Sequence, residues 1–287
     1  MNNNNGVVVV GSLHYDIVLN ASHQPKKGET IIGKNWYPKF GGKGGNQAIA
    51  ASLFGVPTKI ISAVGKDSFG TYILDKINSS RVNTEFIQII EREKTGISVA
   101  ISDNEGEYGA VVISEANLKI NSDVLNTSLV WQNSKILMIQ NEVNDDLNII
   151  ATEQAKENNL KVCLNAAPPK VLNPKLVSNV DILIVNLLEA EYISKVRISN
   201  IDEAKDVSKK LTEQFKIVVI TAGEKGVVCC EKNDNPFSFS AKNIKVKSTH
   251  GAGDMFAGTL CAALASDYQL KKAIKLANEK AIFHVAK

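Results

Sequence analysis

The segment Ser248-Thr-His-Gly-Ala-Gly-Asp254 concentrates residue types that could do chemistry in a single turn. It joins a strand-like run at 244–247 to an alanine-rich helix that begins near Ala252. Two glycines at a helix start let backbone N–H groups turn outward toward an anion, and the positive end of the helix dipole adds to the attraction. A carboxylate is a poor neighbour for an anion, because like charges repel. Asp254 makes sense there as a base that takes the proton of a hydroxyl attacking a phosphoryl group. It also suits a helix N-terminus on structural grounds alone. A second segment, Phe40-Gly-Gly-Lys-Gly-Gly-Asn-Gln-Ala48, sets four glycines around Lys43 and runs into a helix with Asn46 in its first turn. A plain turn that needs positive φ is one explanation. That many glycines cost more entropy than a turn requires, so the favoured reading is a flexible loop whose backbone approaches a ligand.

Two phosphate-loop patterns fail their context. Gly28-Glu-Thr-Ile-Ile-Gly-Lys34 fits G-x-x-x-x-G-K, but Asn35 stands where Ser or Thr should hold Mg²⁺, and no buried strand precedes it. A dinucleotide fingerprint fails at Phe256, where the third glycine should be. A nicotinamide-dependent oxidoreductase is therefore set aside.

The elements that must position these residues alternate. Gly6-Val-Val-Val-Val reads as a central parallel strand, apolar on both faces. Further strands are expected at 59–64, 136–140, 161–165, 182–185, 217–221 and 226–230. Helices are expected at 46–54, 68–79 with Asp67 as N-cap, 144–158, 188–195, 201–215, 252–265 and from Leu270 onward. Repeated strand–helix units imply a mostly parallel sheet with helices on both faces. Two stretches break the pattern. Residues 16–40 show short alternating pieces, 16–19 and 29–32, interrupted by Pro25, Gly28 and Pro38. Residues 97–102 and 109–113 flank an expected hairpin turn at Asn104-Glu-Gly106. Both read as insertions that form a small β lid.

Composition bounds the rest. The 287 residues are 44% hydrophobic, enough for a sizeable core, and suit one large α/β domain. Net charge is +3 from 33 basic and 30 acidic residues with no basic block, so nothing calls for nucleic acid or an anionic membrane. Apolar runs such as Val7 to Val10 and Leu260 to Ala265 stay far short of the about 20 residues that a membrane helix needs. The start MNNNNGVVVVGS lacks a basic region and a long apolar run, so no secretory signal is expected. Cys163, Cys229, Cys230 and Cys261 form no C-x-x-C pair and are expected as reduced thiols in a cytoplasmic protein.

Taken in order, these motifs resemble the ribokinase-like sugar kinases of the PfkB carbohydrate kinase family over nearly the whole chain. The resemblance rests on Gly11 and Asp16 after the first strand, Gly41-Gly-Lys-Gly-Gly-Asn46-Gln, Leu164-Asn-Ala-Ala-Pro168, Asn186-Leu-Leu-Glu189-Ala, Thr221-Ala-Gly-Glu-Lys-Gly226 and Gly251-Ala-Gly-Asp254. It implies a three-layer α/β/α sandwich with a mostly parallel central sheet and a small β-sheet lid. It further implies one kinase domain over 1–287, with lid segments at about 13–40 and 94–115. Asp254 would be the general base, and Gly251, Ala252 and Gly253 the anion hole for charge developing on the γ-phosphoryl group. Asp16, His14, Gly41, Gly42, Lys43, Asn46 and Glu142 would bind the sugar. Asn186, Thr221, Gly223, Gly226 and Asn278 would bind ATP. Asn186 and Glu189 would organise Mg²⁺, through water. Structural readings stand beside these: Asp16 as a turn residue, Glu142 as a cap of the following helix, and Glu189 and Asn278 as surface polar groups. For Lys43, the loop acting through its backbone alone stays open.

This chain also departs from the family pattern. His14 stands where ribokinases carry asparagine, which changes the donors facing the sugar. Ser248 replaces the usual aspartate, His250 is unusual beside it, and the chain ends at Lys287. An incomplete K⁺ site and a more open nucleotide pocket are expected on those grounds. His23 and His284 lie outside every motif and read as structural. The implied function is an ATP- and Mg²⁺-dependent phosphotransferase acting on a hydroxyl of a small sugar. A nucleoside kinase of the same family and a non-catalytic sugar- or nucleotide-binding relative are the alternatives. Ile97, Val99 and Ile101 would give the lid an apolar face, which predicts a homodimer through the lids.

Overall fold

The computed structural model describes residues 5–103, 108–241 and 250–286. The expected turn at 104–106, the run at 244–247, Ser248 and Lys287 lie outside the described residues.

Strand β1 (Gly6–Val10) is buried on both faces. Val8 and Val10 join one hydrophobic cluster, Val7 and Val9 the other. A strand that is apolar at every position needs a layer on each side. The rest of the chain supplies both. In chain order come β2 (His14–Asn20), β3 (Asn35–Gly41), α1 (Lys43–Phe54), β4 (Thr58–Gly65), α2 (Ser68–Asn78), β5 (Val82–Asn83), β6 (Ile87–Ile90), β7 (Ile97–Ser102) and β8 (Tyr108–Ile113). Then follow α3 (Ser128–Trp131), β9 (Ser134–Gln140), α4 (Asp145–Glu157), β10 (Lys161–Asn165), α5 (Pro174–Asn179), β11 (Ile182–Asn186), α6 (Leu187–Ser194), α7 (Ile201–Leu211), β12 (Ile217–Thr221), β13 (Val227–Glu231), β14 (Phe237–Phe239), α8 (Ala252–Ala265) and α9 (Leu270–Ala286). The large sheet runs β14-β13-β12-β11-β10-β9-β1-β4-β5, with β6 also beside β4. Its pairs are parallel except at one edge, where β13 and β14 pair antiparallel. Among the described residues no helix is long and apolar enough to cross a membrane.

The second sheet runs β3-β2-β7-β8. Its register puts His14, Asp16, Ser98 and Ala100 on one face. Tyr15, Ile17, Leu19, Trp36, Pro38, Phe40, Ile97, Val99, Ile101, Val111 and Ile113 share the other. Near its base this apolar face is covered, Tyr15 stacking on Phe69 of α2 at 4.1 Å. Farther out it is open, with Trp36 61% and Val111 68% exposed. The expected strand at 29–32 is not formed. The strand lies instead at Asn35–Gly41 and includes Pro38. An edge strand tolerates a residue with no N–H to donate, so Pro38 does not break it.

The glycine-rich segment is also not a loop. Gly44 and Gly45 are buried in the first turn of α1, which begins at Lys43. A Cβ on Gly44 would meet the Gly11 carbonyl carbon at 2.6 Å, and one on Gly45 would meet Leu13 and Phe40 at 2.7 Å. Gly42 takes φ 90° and sits against the Ser12 carbonyl. The glycines let α1 start in contact with the chain leaving β1. Close approach explains them where the sequence suggested flexibility. Helix propensity favours Ala over Gly by about 1 kcal/mol, but backbone offers a Cβ no room to move aside. Gly44→Ala should therefore lower stability by about 1–3 kcal/mol, as read from urea denaturation.

Candidate active site

The parallel strands β1, β9, β10, β11 and β12 all end on the same side of the sheet, and the polar residues collect there. Beyond those ends lies a cavity of about 1000 Å³. Three helices open onto it with their N-termini: α1 through Lys43, α6 through Asn186 and Glu189, and α8 through Gly251, Ala252 and Gly253. Unsatisfied N–H groups and the dipole make each helix start attractive to an anion. Gly251 takes φ 80°, which turns the chain into α8, and the Gly253 Cα faces open space.

Asp254 stands at the inner edge of this cavity, in the first turn of α8, and is 8% exposed. Gln47 Nε2 donates to its Oδ1 at 2.9 Å and Asn46 Nδ2 to its Oδ2 at 3.3 Å. Gln47 is held in turn by Gln140, whose Nε2 donates to Gln47 Oε1 at 2.7 Å. Asn148 Nδ2 donates to the Gln140 carbonyl at 2.8 Å, and Asn165 Oδ1 accepts from Gln47 Nε2 at 3.3 Å. Burial pushes the Asp254 carboxyl above its ordinary value, and Glu142 adds to that. Lys43 and the amides of Gln47 and Asn46 pull it back. The arrangement holds a carboxylate in place, ready to accept a proton, beside a helix N-terminus.

Glu142 follows β9, and its side chain is 8% exposed. It accepts from Ser12 Oγ and, at 3.0 Å, from the Lys43 N–H, and it lies 3.9 Å from His14 Nδ1. The cap of α4 is Asn144, so capping does not explain Glu142. Asp16 lies within β2, so it is not a turn residue. It accepts from Ser98 Oγ at 2.7 Å, and His250 Nε2 stands 3.5 Å from its other oxygen. Gly41 leaves room for the Asp16 carboxylate, which a Cβ would meet at 2.1 Å. Asn117 fixes the link between β1 and β2 by bonding both the N–H and the carbonyl of Leu13.

Asn186 and Glu189 form a capping box on α6. Each side chain accepts from the other's backbone N–H at 2.8 Å. Their spacing thus has a structural cause, and one Glu189 oxygen is committed to it. Burial raises the Glu189 carboxyl and nearby Asp254 raises it further, against the opposing pull of the Asn186 N–H and Lys43. Among the described residues no group of three or more His, Cys, Asp or Glu could hold a metal ion by itself. Thr221, Gly223, Gly226 and Asn278 line the same cavity. Thr221 Oγ1 donates to the Val185 carbonyl at 3.3 Å, and Asn278 Nδ2 donates to the Ser240 carbonyl at 3.3 Å. A Cβ on Gly226, at φ 103°, would meet the Phe239 carbonyl at 2.0 Å.

The sequence reading missed Ser12, Gln47, Ser98, Asn117, Gln140 and Asn148. The only available signal was a polar residue in an otherwise apolar strand or helix. Asn165 and Gln47 appeared in quoted motifs, but with no role attached.

The profile of the pfkB family carbohydrate kinases matches residues 4–287. The chain is 33% identical to the ribokinase of Mus musculus over 278 residues, spanning 95% of this chain and 86% of that protein. It is 30% identical to the ribokinase of Haemophilus influenzae over 283 residues, spanning 98% and 92%. The structure of Arabidopsis thaliana ribokinase complexed with ribose and ATP resembles it with a TM-score of 0.87 at 25% identity, covering 97% of this chain and 92% of that one.

A carboxyl raised by burial carries a consequence for stability. While protonated, Asp254 is tolerated in its buried site, so its contribution is fully present below the unfolded aspartate value near 3.9. That contribution is lost as pH rises through the raised folded value. Asp254→Asn carries no such charge. The melting temperature of Asp254→Asn minus that of the native chain should therefore grow more positive from pH 4 to pH 7, by differential scanning calorimetry. A difference that stays flat or shrinks would contradict the raised value.

Proposed function

The chain belongs to the pfkB family of carbohydrate kinases, an ATP-dependent phosphotransferase that acts on a sugar hydroxyl, and from that premise we propose which of its residues carry the transfer. One observation supports the assignment above the others. Asp254 is a buried, hydrogen-bonded carboxylate in the first turn of a helix whose N-terminus opens on a cavity of about 1000 Å³. The acceptor hydroxyl gives its proton to Asp254 as its oxygen attacks the γ-phosphorus in line. Gly251, Ala252 and Gly253 present backbone N–H groups to the charge that develops on the phosphoryl oxygens.

The acceptor sugar lies on the lid side, between Asp16, His14, Gly41, Gly42, Asn46 and Glu142. The lid strands within 13–40 and 94–115 cover it, which excludes water as a competing acceptor. ATP lies on the other side, against Asn186, Thr221, Gly223, Gly226 and Asn278. Lys43 faces both halves. Mg²⁺, when bound, neutralises phosphate charge; the oxygen chemistry of Glu189 fits it, acting through water beside Asn186. The relatives named as ribokinases make ribose the first acceptor to test, with His14 the residue that distinguishes this site.

The open apolar face of the lid supports a homodimer. Trp36, Val111 and Ile113 leave that face exposed in one copy, and a second lid of the same shape would cover it.

ADP release from MgATP, measured over pentoses, hexoses, amino-sugars and nucleosides, should show turnover on one acceptor class. Asp254→Asn should lower kcat there by about 10²–10⁴-fold. No turnover on any acceptor, despite saturable ATP binding, would favour a binding protein instead. Chelation with EDTA should abolish activity, and Mg²⁺ should restore it. Light scattering should give twice the chain mass at micromolar concentration, and Val111→Glu should shift the protein to monomer. A native chain that runs as a monomer would exclude the lid-to-lid pairing.

A further inference from the structure

His284 lies outside every motif, yet it touches the turn that opens α8. Its Nε2 stands 3.0 Å from the backbone carbonyl oxygen of His250. A carbonyl oxygen only accepts, so the ring nitrogen facing it carries the proton. The same imidazole lies against Gly251, where a Cβ would meet Nε2 at 3.2 Å and Cε1 at 3.8 Å. Gly251 caps α8 at φ 80° with no side-chain hydrogen bond. Glycine is the residue most able to leave such a conformation, so the turn depends on what holds its two ends. On the helix side the Gly251 carbonyl accepts from the Met255 N–H at 2.9 Å. On the other side the hold is the bond from His284.

A peptide unit is planar. The His250 carbonyl and the Gly251 N–H belong to one unit, so a bond that fixes the carbonyl also fixes the direction of that N–H. It is the first of the donors assigned to the charge developing on the phosphoryl oxygens. Such donors are effective when they are aimed before the charge appears. His284 also flanks the stripe Asn278, Ala281, Ile282 and Val285, through which α9 lines the cavity. That spacing is one face of a helix. A single rigid element therefore meets both the nucleotide side of the cavity and the turn into α8. We propose that His284 is a positioning residue, which holds the His250–Gly251 peptide so that the Gly251 N–H is aimed at the transferring phosphoryl group. It acts through that peptide and touches no reacting atom.

The inference rests on reading Gly251, Ala252 and Gly253 as the anion hole beside the base Asp254, and the test separates the two. The native chain, Asp254→Asn, His284→Ala and His284→Gln are compared with MgATP and the acceptor that the native chain turns over best. His284→Ala should lower kcat by about tenfold, as for the loss of one hydrogen bond. The KM for the acceptor and the KM for ATP should stay as in the native chain, because the aimed N–H matters in the transition state. His284→Gln, whose amide nitrogen can take the place of Nε2, should keep most of the native kcat. MgADP with aluminium fluoride and the acceptor mimics the phosphoryl group in transfer. By titration calorimetry His284→Ala should bind that mixture about tenfold more weakly, yet bind MgADP alone as the native chain does. If His284 only packs α9, its loss would weaken MgADP alone as much as the mimic, and that result would overturn the role. So would an unchanged kcat in His284→Ala, or an equal loss in His284→Gln. A native chain that turns over no acceptor, or an Asp254→Asn variant as active as the native chain, would instead remove the premise, and the inference with it.

Discussion

A buried carboxylate at the start of a helix is the constraint around which this structure is arranged. Asp254 must be dry enough to hold a raised proton affinity, yet bonded well enough to tolerate ionisation. Water solvates a carboxylate cheaply, and a protein interior does so only with fixed donors. Gln47 and Asn46 supply them from α1. Gln140 of β9 holds the Gln47 amide in turn, and Asn148 of α4 bonds the backbone carbonyl of Gln140, so the Gln47 donor reaches Asp254 already oriented. The cost of such a group falls on the rest of the fold. The two hydrophobic layers, one on each face of the valine strand β1, are what offset it.

Close approach is the second consequence. The site joins residues from the ends of β1 and β9 and from the starts of α1 and α8, so these backbones must nearly touch. Gly11 shows the requirement most plainly. A Cβ there would lie 2.0 Å from Gln140 Oε1, inside the amide chain that supports Asp254. Gly258 plays the same part between α8 and α1, with the Gln47 carbonyl 2.4 Å from its would-be Cβ. Small residues at these crossings set the distance between the Asp254 carboxylate and its amide donors. Substitutions there would alter that spacing with no change to any charged group.

Much of the frame was legible because it depends on local pattern. The run of valines in β1, the bounds of α8, Asp67 as the cap of α2 and the strand at Ile97–Ser102 follow from periodicity and capping alone. The candidate catalytic residues were legible through motif order. The amide chain was not, because Gln140 and Gln47 are 93 positions apart and neither position announces its partner. Pro38 misled because a strand's place at a sheet edge is a tertiary fact. The glycines of α1 misled for a related reason. Absence of a side chain permits both flexibility and tight contact, and only the neighbours decide between them. Asn186 and Glu189 show the converse, where a spacing tied to a metal role also has a complete local explanation as a capping box.

The charge arrangement bears on what the cavity can admit. Glu142, Glu189 and Asp254 gather around Lys43, and that lysine draws down the proton affinity of both Glu189 and Asp254. A lysine in the first turn of a helix is unfavourable against the helix dipole. Its position at the start of α1 makes sense because carboxylates face it. Yet a nucleotide triphosphate adds several negative charges beside these carboxylates. Lys43 and three helix N-termini counter part of that repulsion. A divalent cation held near Asn186 and Glu189 would counter the remainder. Burial and the neighbouring Asp254 raise the Glu189 carboxyl, so that residue already feels the crowding of negative groups that a cation would relieve.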